Sequence, residues 1–339
     1  MSDAYATPAG RRAEHFGTAP DGSPVLLARI QNGGTHAALM TWGASLQDFR
    51  IAGVAHALVL GSPDFEAYLG PLHYFGAIVG RVANRIAGGR AELDGRVLDF
   101  DRNENGRTTL HGGRHGSGCL NWSLKRHDHH GCTFSIRLPD GLDGFPGNLD
   151  LTAEYRLDET GALALTIEGR TDATTFCNMA HHSYWTLAPR AGLEDHRFTV
   201  AAAHYLPIDA DKIPSAPEPV SGSPFDFTAP RSPVNPEVAL DHNFCLGGTG
   251  MRPVATLSRG PLQLEIETDA PGLQVYDGAL IDSGDHRTHA GAAYGANAGI
   301  ALEPQFWPDA PNHARFPDIT LEPGQVFRQI TRFSVRTLG

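Results

Sequence analysis

Two residues that commonly transfer protons occur in sequence contexts that would hold them rigidly. Glu303 lies in Leu302–His313 (LEPQFWPDAPNH), between a strand-like run and a loop bracketed by prolines, and His182 lies in Asn178–Trp185 (NMAHHSYW). A histidine with an ordinary pKa of about 6.5 can donate a proton near neutral pH, while a glutamate with an ordinary pKa of about 4.3 can accept one. Although a lone histidine in such a run is more often a hydrogen-bonded core residue, the two contexts together predict general acid and base chemistry.

A third candidate, His111, precedes a run rich in glycine. The adjacent Gly112 and Gly113 would let the backbone approach a ligand closely. The run from Gly112 to Gly118 also has the composition of a phosphate-binding loop, but no strand-to-helix context surrounds it and no Lys-Ser or Lys-Thr pair closes it. We therefore predict a ligand-binding role for His111 and no nucleotide site.

Apolar and polar residues alternate through much of the chain with the period of a β-strand. The clearest alternation covers residues 149–157, 163–167 and 262–266. Asp158–Gly161 joins the first two runs as a hairpin turn, and Asp94–Gly95 is the strongest short hairpin signal in the chain. These patterns predict half-buried antiparallel strands.

Helical periodicity is almost absent, which favours an all-β fold. One short helix is predicted after Ser62, with Ser62 as its N-cap and Pro63 in its first position. The proline-rich stretch Ile213–Pro236 is predicted to be a long surface excursion, because strand-like sequence continues on both sides. Since large β architectures commonly fold as one unit, we expect residues 1–339 to form a single domain, a large antiparallel β-sandwich.

Composition and charge narrow the classes of partner. The formal net charge is −11 and the basic residues are scattered, which argues against nucleic acid and anionic membranes as partners. No run is apolar enough to span a bilayer and no signal peptide is visible near Met1, so we expect a cytoplasmic protein that acts on a small neutral molecule. The cysteines show no paired spacing and are predicted to be free, buried thiols: Cys119, Cys132, Cys177 and Cys245.

Three segments, taken together, resemble the aldose 1-epimerase (galactose mutarotase) family. They are Gly80–Ile86 (GRVANRI), Asn178–Trp185 and Leu302–His313, and the resemblance runs from about Gly43 to the end of the sequence. Members of this family interconvert the α and β anomers of free aldoses such as glucose or galactose without a cofactor. The resemblance also implies the supersandwich fold of galactose mutarotase.

The resemblance implies a role for each candidate. His182 would protonate the ring oxygen of the sugar while Glu303 removes the proton of the C1 hydroxyl; rotation about C1–C2 and reversal of both transfers would give the other anomer. It implies sugar-binding roles for Asn84, Arg85, His111, Asp241 and Gln274. Arg81 is expected to be structural, and the aromatic residues Phe306 and Trp307 are expected to belong to the core.

Three residues depart from the pattern of the family. His181 stands where an asparagine commonly precedes the catalytic histidine, Pro304 replaces a usual threonine, and Asp277 occupies another common threonine position. The preferred sugar therefore stays open. His181 also leaves open which of two neighbouring imidazoles is the acid.

Two sets of residues have the composition of metal sites. His127–His130 (HDHH) falls at a predicted hairpin tip, where solvated polar residues are expected, and His111, His182 and Glu303 match the ligand types of a cupin-like centre. Metal-ligand spacing is not repeated elsewhere. We therefore predict no metal and no cofactor.

Two other functions compete with the epimerase prediction. A glycoside hydrolase would need a second carboxylate near Glu303, for which Asp241 and Asp309 are candidates. A noncatalytic sugar-binding protein of the same fold would keep the binding residues and lose His182 or Glu303, and both are present. We expect the protein to be a monomer or a homodimer.

Overall fold

The computed structural model describes residues 4–6 and 11–338 of the chain, and these residues form strands joined by turns, loops and short 3-10 helices. In chain order the strands are β1 (Ala4–Ala6), β2 (Arg12–Thr18), β3 (Pro24–Asn32), β4 (Thr35–Met40), β5 (Ser45–Ile51), β6 (Ile78–Val79), β7 (Arg85–Ile86), β8 (Arg90–Leu93), β9 (Arg96–Asp99), β10 (Thr109–Leu110), β11 (Ser123–His127), β12 (Gly131–Leu138), β13 (Leu149–Leu157), β14 (Leu163–Thr171), β15 (Thr175–Phe176), β16 (Ala180–His181), β17 (Tyr184–Trp185), β18 (Arg197–Val200), β19 (Ala202–Tyr205), β20 (Glu218–Pro219), β21 (Asp241–Leu246), β22 (Arg252–Arg259), β23 (Leu262–Thr268), β24 (Gly272–Tyr276), β25 (Ile300–Gln305), β26 (Thr320–Leu321) and β27 (Phe327–Thr337). The 3-10 helices are Phe65–Leu69, Ala87–Gly89, Ser117–Cys119, Leu142–Gly144 and Ala310–Asn312.

Two large antiparallel sheets carry most of the strands. The eight-stranded sheet has the order β11-β12-β13-β14-β27-β23-β22-β18, and the six-stranded sheet has the order β17-β25-β24-β21-β19-β20. Along β13 every second residue is buried, as the alternation predicted. Buried residues of both sheets, such as Leu151 of β13 and Val275 of β24, belong to one core cluster. These observations confirm the predicted antiparallel β-sandwich.

A third sheet and several two-stranded ladders surround the sandwich. Strands β1 to β5 form a five-stranded antiparallel sheet in sequential order. The shared core cluster includes buried residues from β3 to β27, and the single domain stays a prediction. Within the described residues, no helix is long and apolar enough to cross a bilayer.

Both predicted hairpins are confirmed. Strands β8 and β9 pair across Asp94–Gly95, where both residues have positive φ, and β13 pairs with β14 across Asp158–Gly161. The third alternating run forms β23. The oxygen Oδ1 of Asp158 accepts the amide hydrogens of Thr160 and Ala162, which explains why an aspartate opens that turn.

The predicted helix begins later than Ser62 and is a 3-10 helix, Phe65–Leu69. An N-cap must offer its carbonyl to the first helical turn. The carbonyl of Ser62 instead accepts the side-chain amide of Gln47 at 2.7 Å, and the Ser62 hydroxyl accepts the amide of Asp64 at 3.0 Å. Ser62 therefore forms a tight turn ahead of the helix, and its assignment as the N-cap was wrong.

The stretch Ile213–Pro236 is more firmly attached than a surface excursion would be. It supplies the edge strand β20, and it buries Val220, Phe225 and Phe227 in the main core. The cysteines are all free, as predicted, but only Cys132 and Cys177 are buried; Cys119 and Cys245 are partly exposed.

Candidate active site

Three neighbouring strands of the six-stranded sheet place a row of polar side chains side by side. Asn243 of β21 lies directly opposite Gln274 of β24, and Gln274 lies directly opposite Glu303 of β25. All three are buried. Since paired residues of adjacent strands point to the same face of a sheet, the row forms one wall of a site.

His182 closes this site from the segment after β16. Its Nε2 lies 3.5 Å from Oε1 of Glu303, and the ring of His111 lies 5.2 Å from the ring of His182, measured between centroids. The exposed fractions of His182, His111 and Glu303 are 6%, 6% and 2%. The structure thus brings together three residues that are 71 and 121 positions apart along the chain, and their ligand atoms lie within 4.8 Å of one another.

The backbone around His111 fixes the orientation and the tautomer of its ring. Asn84 and His111 both have positive φ, 60° and 52°. The amide of Asn84 donates to Nδ1 of His111 at 3.1 Å, and the amide of His111 donates to the Asn84 carbonyl at 2.9 Å. Burial holds the pKa of His111 well below 6.5, so its ring is neutral and its single proton is on Nε2. His111 is therefore a hydrogen-bond donor to whatever binds beside it.

This tautomer disfavours a metal on His111, His182 and Glu303. A metal ligand must offer a ring nitrogen with a free lone pair. In His111 the Nδ1 lone pair accepts the Asn84 amide, and Nε2 carries the proton. The other proposed metal set is disfavoured as well, because Nδ1 of His129 contacts the guanidinium of Arg11 and the buried His127 contacts the Arg29 carbonyl through Nε2. The burial of His127 also corrects the expectation that all polar residues of this hairpin tip are solvated.

Burial shifts both pKa values of the central pair. It raises the pKa of Glu303 well above its ordinary value, an effect that Asp241 reinforces, and it lowers the pKa of His182 to about 4. Oε2 of Glu303 and Nδ1 of His182 have no hydrogen-bond partner among the described residues. The structure therefore favours a neutral imidazole beside a protonated carboxyl group.

His181 faces away from this pair. Its ring packs against Tyr155 and Phe333 in the sandwich core, and its Nε2 lies 3.0 Å from the hydroxyl of Ser183. Consecutive residues of an extended segment point to opposite sides. His181 and His182 consequently do not compete for one position. The alternation of side chains along an extended segment is sufficient to place them on opposite faces.

Arg85 and Arg81 have different environments. Arg85 makes a bidentate ion pair with Glu104, at 2.7 Å from both Nε and Nη2, and Thr108 donates to the same carboxylate. The guanidinium of Arg81 instead donates to backbone carbonyls, among them those of Pro146 and Gly147. Arg81 is therefore structural, as predicted. Arg85 lies at the edge of the site, where Glu104 fixes the orientation of its guanidinium group.

Asp241 is engaged by two side chains. Oδ1 accepts the side-chain amide of Gln274 at 2.7 Å, and Oδ2 pairs with Nζ of Lys212 at 2.6 Å. These contacts fix the carboxylate at the start of β21. The structure thus groups Asn84, Arg85, Asp241 and Gln274 around one small cavity that Lys212 and Asn243 also line.

Other residues that the sequence singled out serve the scaffold. Asp309 accepts the amide of Ala87 through Oδ1 and contacts His313 through Oδ2. Asp277 accepts the amide of Leu240 and so holds the chain just before Asp241. Strand β17 pairs with Ile300 and Ala301 of β25 and does not reach Pro304. The absence of an N–H group at Pro304 therefore costs no hydrogen bond between these two strands. Phe306 and Trp307 pack at the edge of the core, as expected.

Gly112, the residue after His111, lets two backbone segments pack closely. A Cβ atom on Gly112 would lie 2.2 Å from the Gly80 carbonyl oxygen, and Gly112 has a φ of 87°. Gly112 therefore allows a close approach to the backbone at Gly80, which precedes Asn84. It lets the loop of His111 pack against the motif that carries Arg85.

Several site residues were not predicted: Tyr74, Glu104, Lys212 and Asn243. The ring of Tyr74 lies 4.7 Å from His111 and 6.1 Å from His182, measured between centroids. Asn243 is 1% exposed, and neither polar atom of its amide has a partner among the described residues. The position of Asn243 in a strand-like segment, between His242 and Phe244, was the available signal for this residue. Lys212 carried no signal beyond its scarcity, since the chain has two lysines.

Comparisons with known proteins identify relatives of this chain. The family model described as aldose 1-epimerase matches residues 27–334. Galactose mutarotase of Rattus norvegicus is 36% identical over 94% of this chain and 96% of that protein, and aldose 1-epimerase of Escherichia coli K12 is 32% identical over 93% and 96%.

Solved structures share the fold. The crystal structure of an aldose epimerase homologue from C. elegans superposes with a TM-score of 0.87 at 26% identity, over 92% of this chain and 99% of that one. Galactose 1-epimerase of Lactobacillus acidophilus superposes with a TM-score of 0.81 at 25% identity, over 100% and 99%. Matches of this extent in sequence and in structure show that the chain belongs to the aldose 1-epimerase family.

Proposed function

We propose that the protein is an aldose 1-epimerase that interconverts the α and β anomers of free aldoses such as glucose or galactose. The observation that carries this proposal is the buried pair of His182 and Glu303, 3.5 Å apart, beside the fixed hydrogen-bond donor His111. The activity is also that of the relatives, which are called galactose mutarotase and aldose 1-epimerase.

The pair suits a reaction in which one proton circulates. For ring opening, His182 gives a proton to the ring oxygen while Glu303 takes the proton of the C1 hydroxyl. The pair then consists of a neutral imidazole and a protonated carboxyl group, which is the form that burial favours. Ring closure on the other face of the aldehyde reverses both transfers. When a cyclic sugar binds, the proton must pass from Glu303 to His182 before ring opening can begin.

The binding residues fit a neutral polyol. Arg85 is neutralised by Glu104 and Asp241 by Lys212, so the site offers both donors and acceptors with little net charge. We assign sugar binding to Asn84, Arg85, His111, Asp241 and Gln274. From composition we propose a cytoplasmic location, a monomer or homodimer, and no nucleic-acid or membrane partner.

The glycoside hydrolase alternative lacks a suitable second carboxylate. The oxygens of Asp309 are bonded by the Ala87 amide and by His313, and Asp241 is held by Gln274 and Lys212. A noncatalytic sugar-binding role does not explain why His182 points toward Glu303. Neither alternative is favoured.

Polarimetry of freshly dissolved anomers of glucose, galactose, xylose and arabinose tests the function directly. We expect the protein to speed the approach to anomeric equilibrium, and to do so equally after exhaustive chelation, because the mechanism uses only proton transfer and hydrogen bonds. Loss of activity on chelation, restored by a defined metal, would contradict the mechanism. Hydrolysis of glycosides without action on free aldoses would contradict the function.

The pH dependence follows from the one proton that the pair must hold. As the pH falls, a second proton binds His182, whose lowered pKa of about 4 puts this loss of activity at low pH. As the pH rises, the pair loses its only proton, and the raised pKa of Glu303 delays that loss. We expect kcat/KM to change less than about twofold between pH 6.5 and about 5, after subtraction of the spontaneous rate. A tenfold fall over this range would show that His182 titrates like an exposed histidine.

Substitution of Asp241 should act mainly on binding. A charge-assisted hydrogen bond contributes about 1.5 to 3 kcal/mol, so Asp241→Asn should raise KM by roughly 10-fold or more and lower kcat less. Asp150→Asn is a matched control that should leave both constants unchanged, because Asp150 is paired with Arg137 on the surface of the eight-stranded sheet. Loss of kcat with unchanged sugar affinity, measured by calorimetry, would place Asp241 in the chemical step instead.

A further inference from the structure

The side chain of Lys212 reaches the position where a sugar hydroxyl would meet Asp241. Its Nζ lies 2.6 Å from Oδ2 of Asp241 and 5.8 Å from the ring centroid of Tyr276. About a third of the lysine side chain is exposed. An ammonium group has three donors, so pairing with Asp241 leaves others for a ligand.

The backbone at Lys212 gives no reason for a lysine. Lys212 has a φ of 59°, in the left-handed region where glycine is the usual residue. The turn is held by Asp209, whose Oδ1 accepts the amides of Asp211 and Ile213. A non-glycine residue in this conformation costs about 1 to 2 kcal/mol. What a lysine provides at this position is the ion pair of its side chain with Asp241.

A small polar cavity lies beside this ion pair. Its volume is about 10 Å³, which is room for about one water molecule or one hydroxyl group. Asn243 lines it with a buried amide that has no partner among the described residues. A buried polar group without a partner costs about 1 to 3 kcal/mol, so the cavity is suited to a polar atom that enters from outside.

The cavity lies away from the reacting end of the sugar. Asn243 and Glu303 are on opposite sides of Gln274, on strands β21 and β25. Two strand spacings separate them, which is roughly 10 Å. A sugar whose C1 is beside Glu303 would therefore direct the far side of its ring toward Lys212 and Asn243.

We propose that Lys212 and Asn243 bind one hydroxyl group on the side of the sugar remote from C1 and so determine which aldoses the site prefers. The hydroxyl donates its proton to Asp241 and accepts a hydrogen bond from Lys212, while the Asn243 amide supplies a further partner. This inference rests on the proposed function. It adds the ammonium group of Lys212 and the amide group of Asn243 to the binding residues that the family resemblance implied.

The test is a comparison of glucose with its 2-, 3-, 4- and 6-deoxy derivatives in the wild-type protein and in Lys212→Met. We expect the wild type to penalise the missing hydroxyl at one remote position by about 10- to 100-fold in kcat/KM. Lys212→Met should remove most of that penalty at that position alone, and raise KM for glucose more than it lowers kcat. Lys125→Met is the matched control, since Lys125 is the other lysine of the chain and is exposed on β11.

Two further variants separate binding from folding. Lys212→Gly relieves the left-handed strain, so it should fold at least as well as the wild type and still lose the penalty. Asn243→Leu keeps the branched shape of the side chain and removes both polar groups, so it should reduce the penalty at the same position. Retention of the full penalty in both lysine variants would overturn the proposal, as would an Asn243→Leu effect at a different position.

A wild-type protein that does not interconvert anomers would reject the proposed function but leave this inference testable. Calorimetric binding of the same deoxy series would then be compared in the wild type and Lys212→Met. Equal discrimination by both proteins would overturn the role of Lys212. Loss of discrimination at one remote position would support it.

Discussion

Glu303→Gln is expected to lower kcat by roughly 10²- to 10⁴-fold, the usual contribution of a positioned acid or base. The substitution keeps the size and shape of the side chain but removes its ability to hold and release a proton. Binding should change less, because the residues that contact the remainder of the sugar are on other strands. Polarimetric rates at saturating sugar, with calorimetric affinities, would measure both effects.

The same substitution should stabilise the protein. Burial raises the folded-state pKa of Glu303, so the stability that its proton contributes is fully present below the unfolded pKa and is lost as the pH rises through the folded pKa. Glutamine has no proton to lose. The difference in the free energy of unfolding between Glu303→Gln and the wild type should therefore grow as the pH rises above about 4.5, as measured by chemical denaturation.

Asp309→Asn is the matched control for Glu303→Gln. Asp309 is also buried in this part of the chain, but its oxygens bond Ala87 and His313. We expect it to lower stability while the folded protein keeps its kcat. If Asp309→Asn instead abolishes kcat and Glu303→Gln does not, the assignment of the base is wrong and a two-carboxylate mechanism must be reconsidered.

His182→Asn should also lower kcat by roughly 10²- to 10⁴-fold. Asparagine keeps a donor but cannot exchange a proton with the ring oxygen or with Glu303. His181→Asn supplies the control, since it is the same substitution one residue earlier. Because the His181 ring contacts Tyr155 and Phe333 in the core, its loss should lower the thermal midpoint of unfolding. The kcat of the folded variant should stay within a few fold of the wild-type value.

The opposite result would be equally informative. If His181→Asn were the more damaging substitution in kcat for folded protein, the motif would be aligned one residue out of place. Unfolding curves for both variants distinguish this outcome from simple loss of structure. A kcat reduced tenfold or less in His182→Asn would show that another group donates the proton.

Local sequence patterns predicted those parts of the fold whose cause is local. The alternation in residues 149–157 follows from one face being buried, and the Asp94–Gly95 turn follows from positive φ at both residues. The start of the helix was predicted too early, because the Ser62 hydroxyl accepts the Asp64 amide in a turn and Ser62 is also bonded by Gln47, a distant residue.

The same distinction applies to the site. His182 and Glu303 were found through motif context, but their pKa values depend on burial that no motif displays. Lys212 and Glu104 become site residues only through pairing with Asp241 and Arg85, which are 29 and 19 positions away. Such partners have no local signature.

The position of β27 has a consequence for how the protein is made. This strand follows every other strand of the eight-stranded sheet in the chain, yet it lies in the middle of that sheet, between β14 and β23. Until the ribosome has released Phe327–Thr337, β14 and β23 each present an unpaired edge, the kind of surface on which nascent chains associate wrongly. Glu303, made earlier, gains its final surroundings only then, since the Pro304 carbonyl next to it is bonded by Gln329 of this strand. Assembly of this wall of the site is thus coupled to the insertion of β27 between β14 and β23.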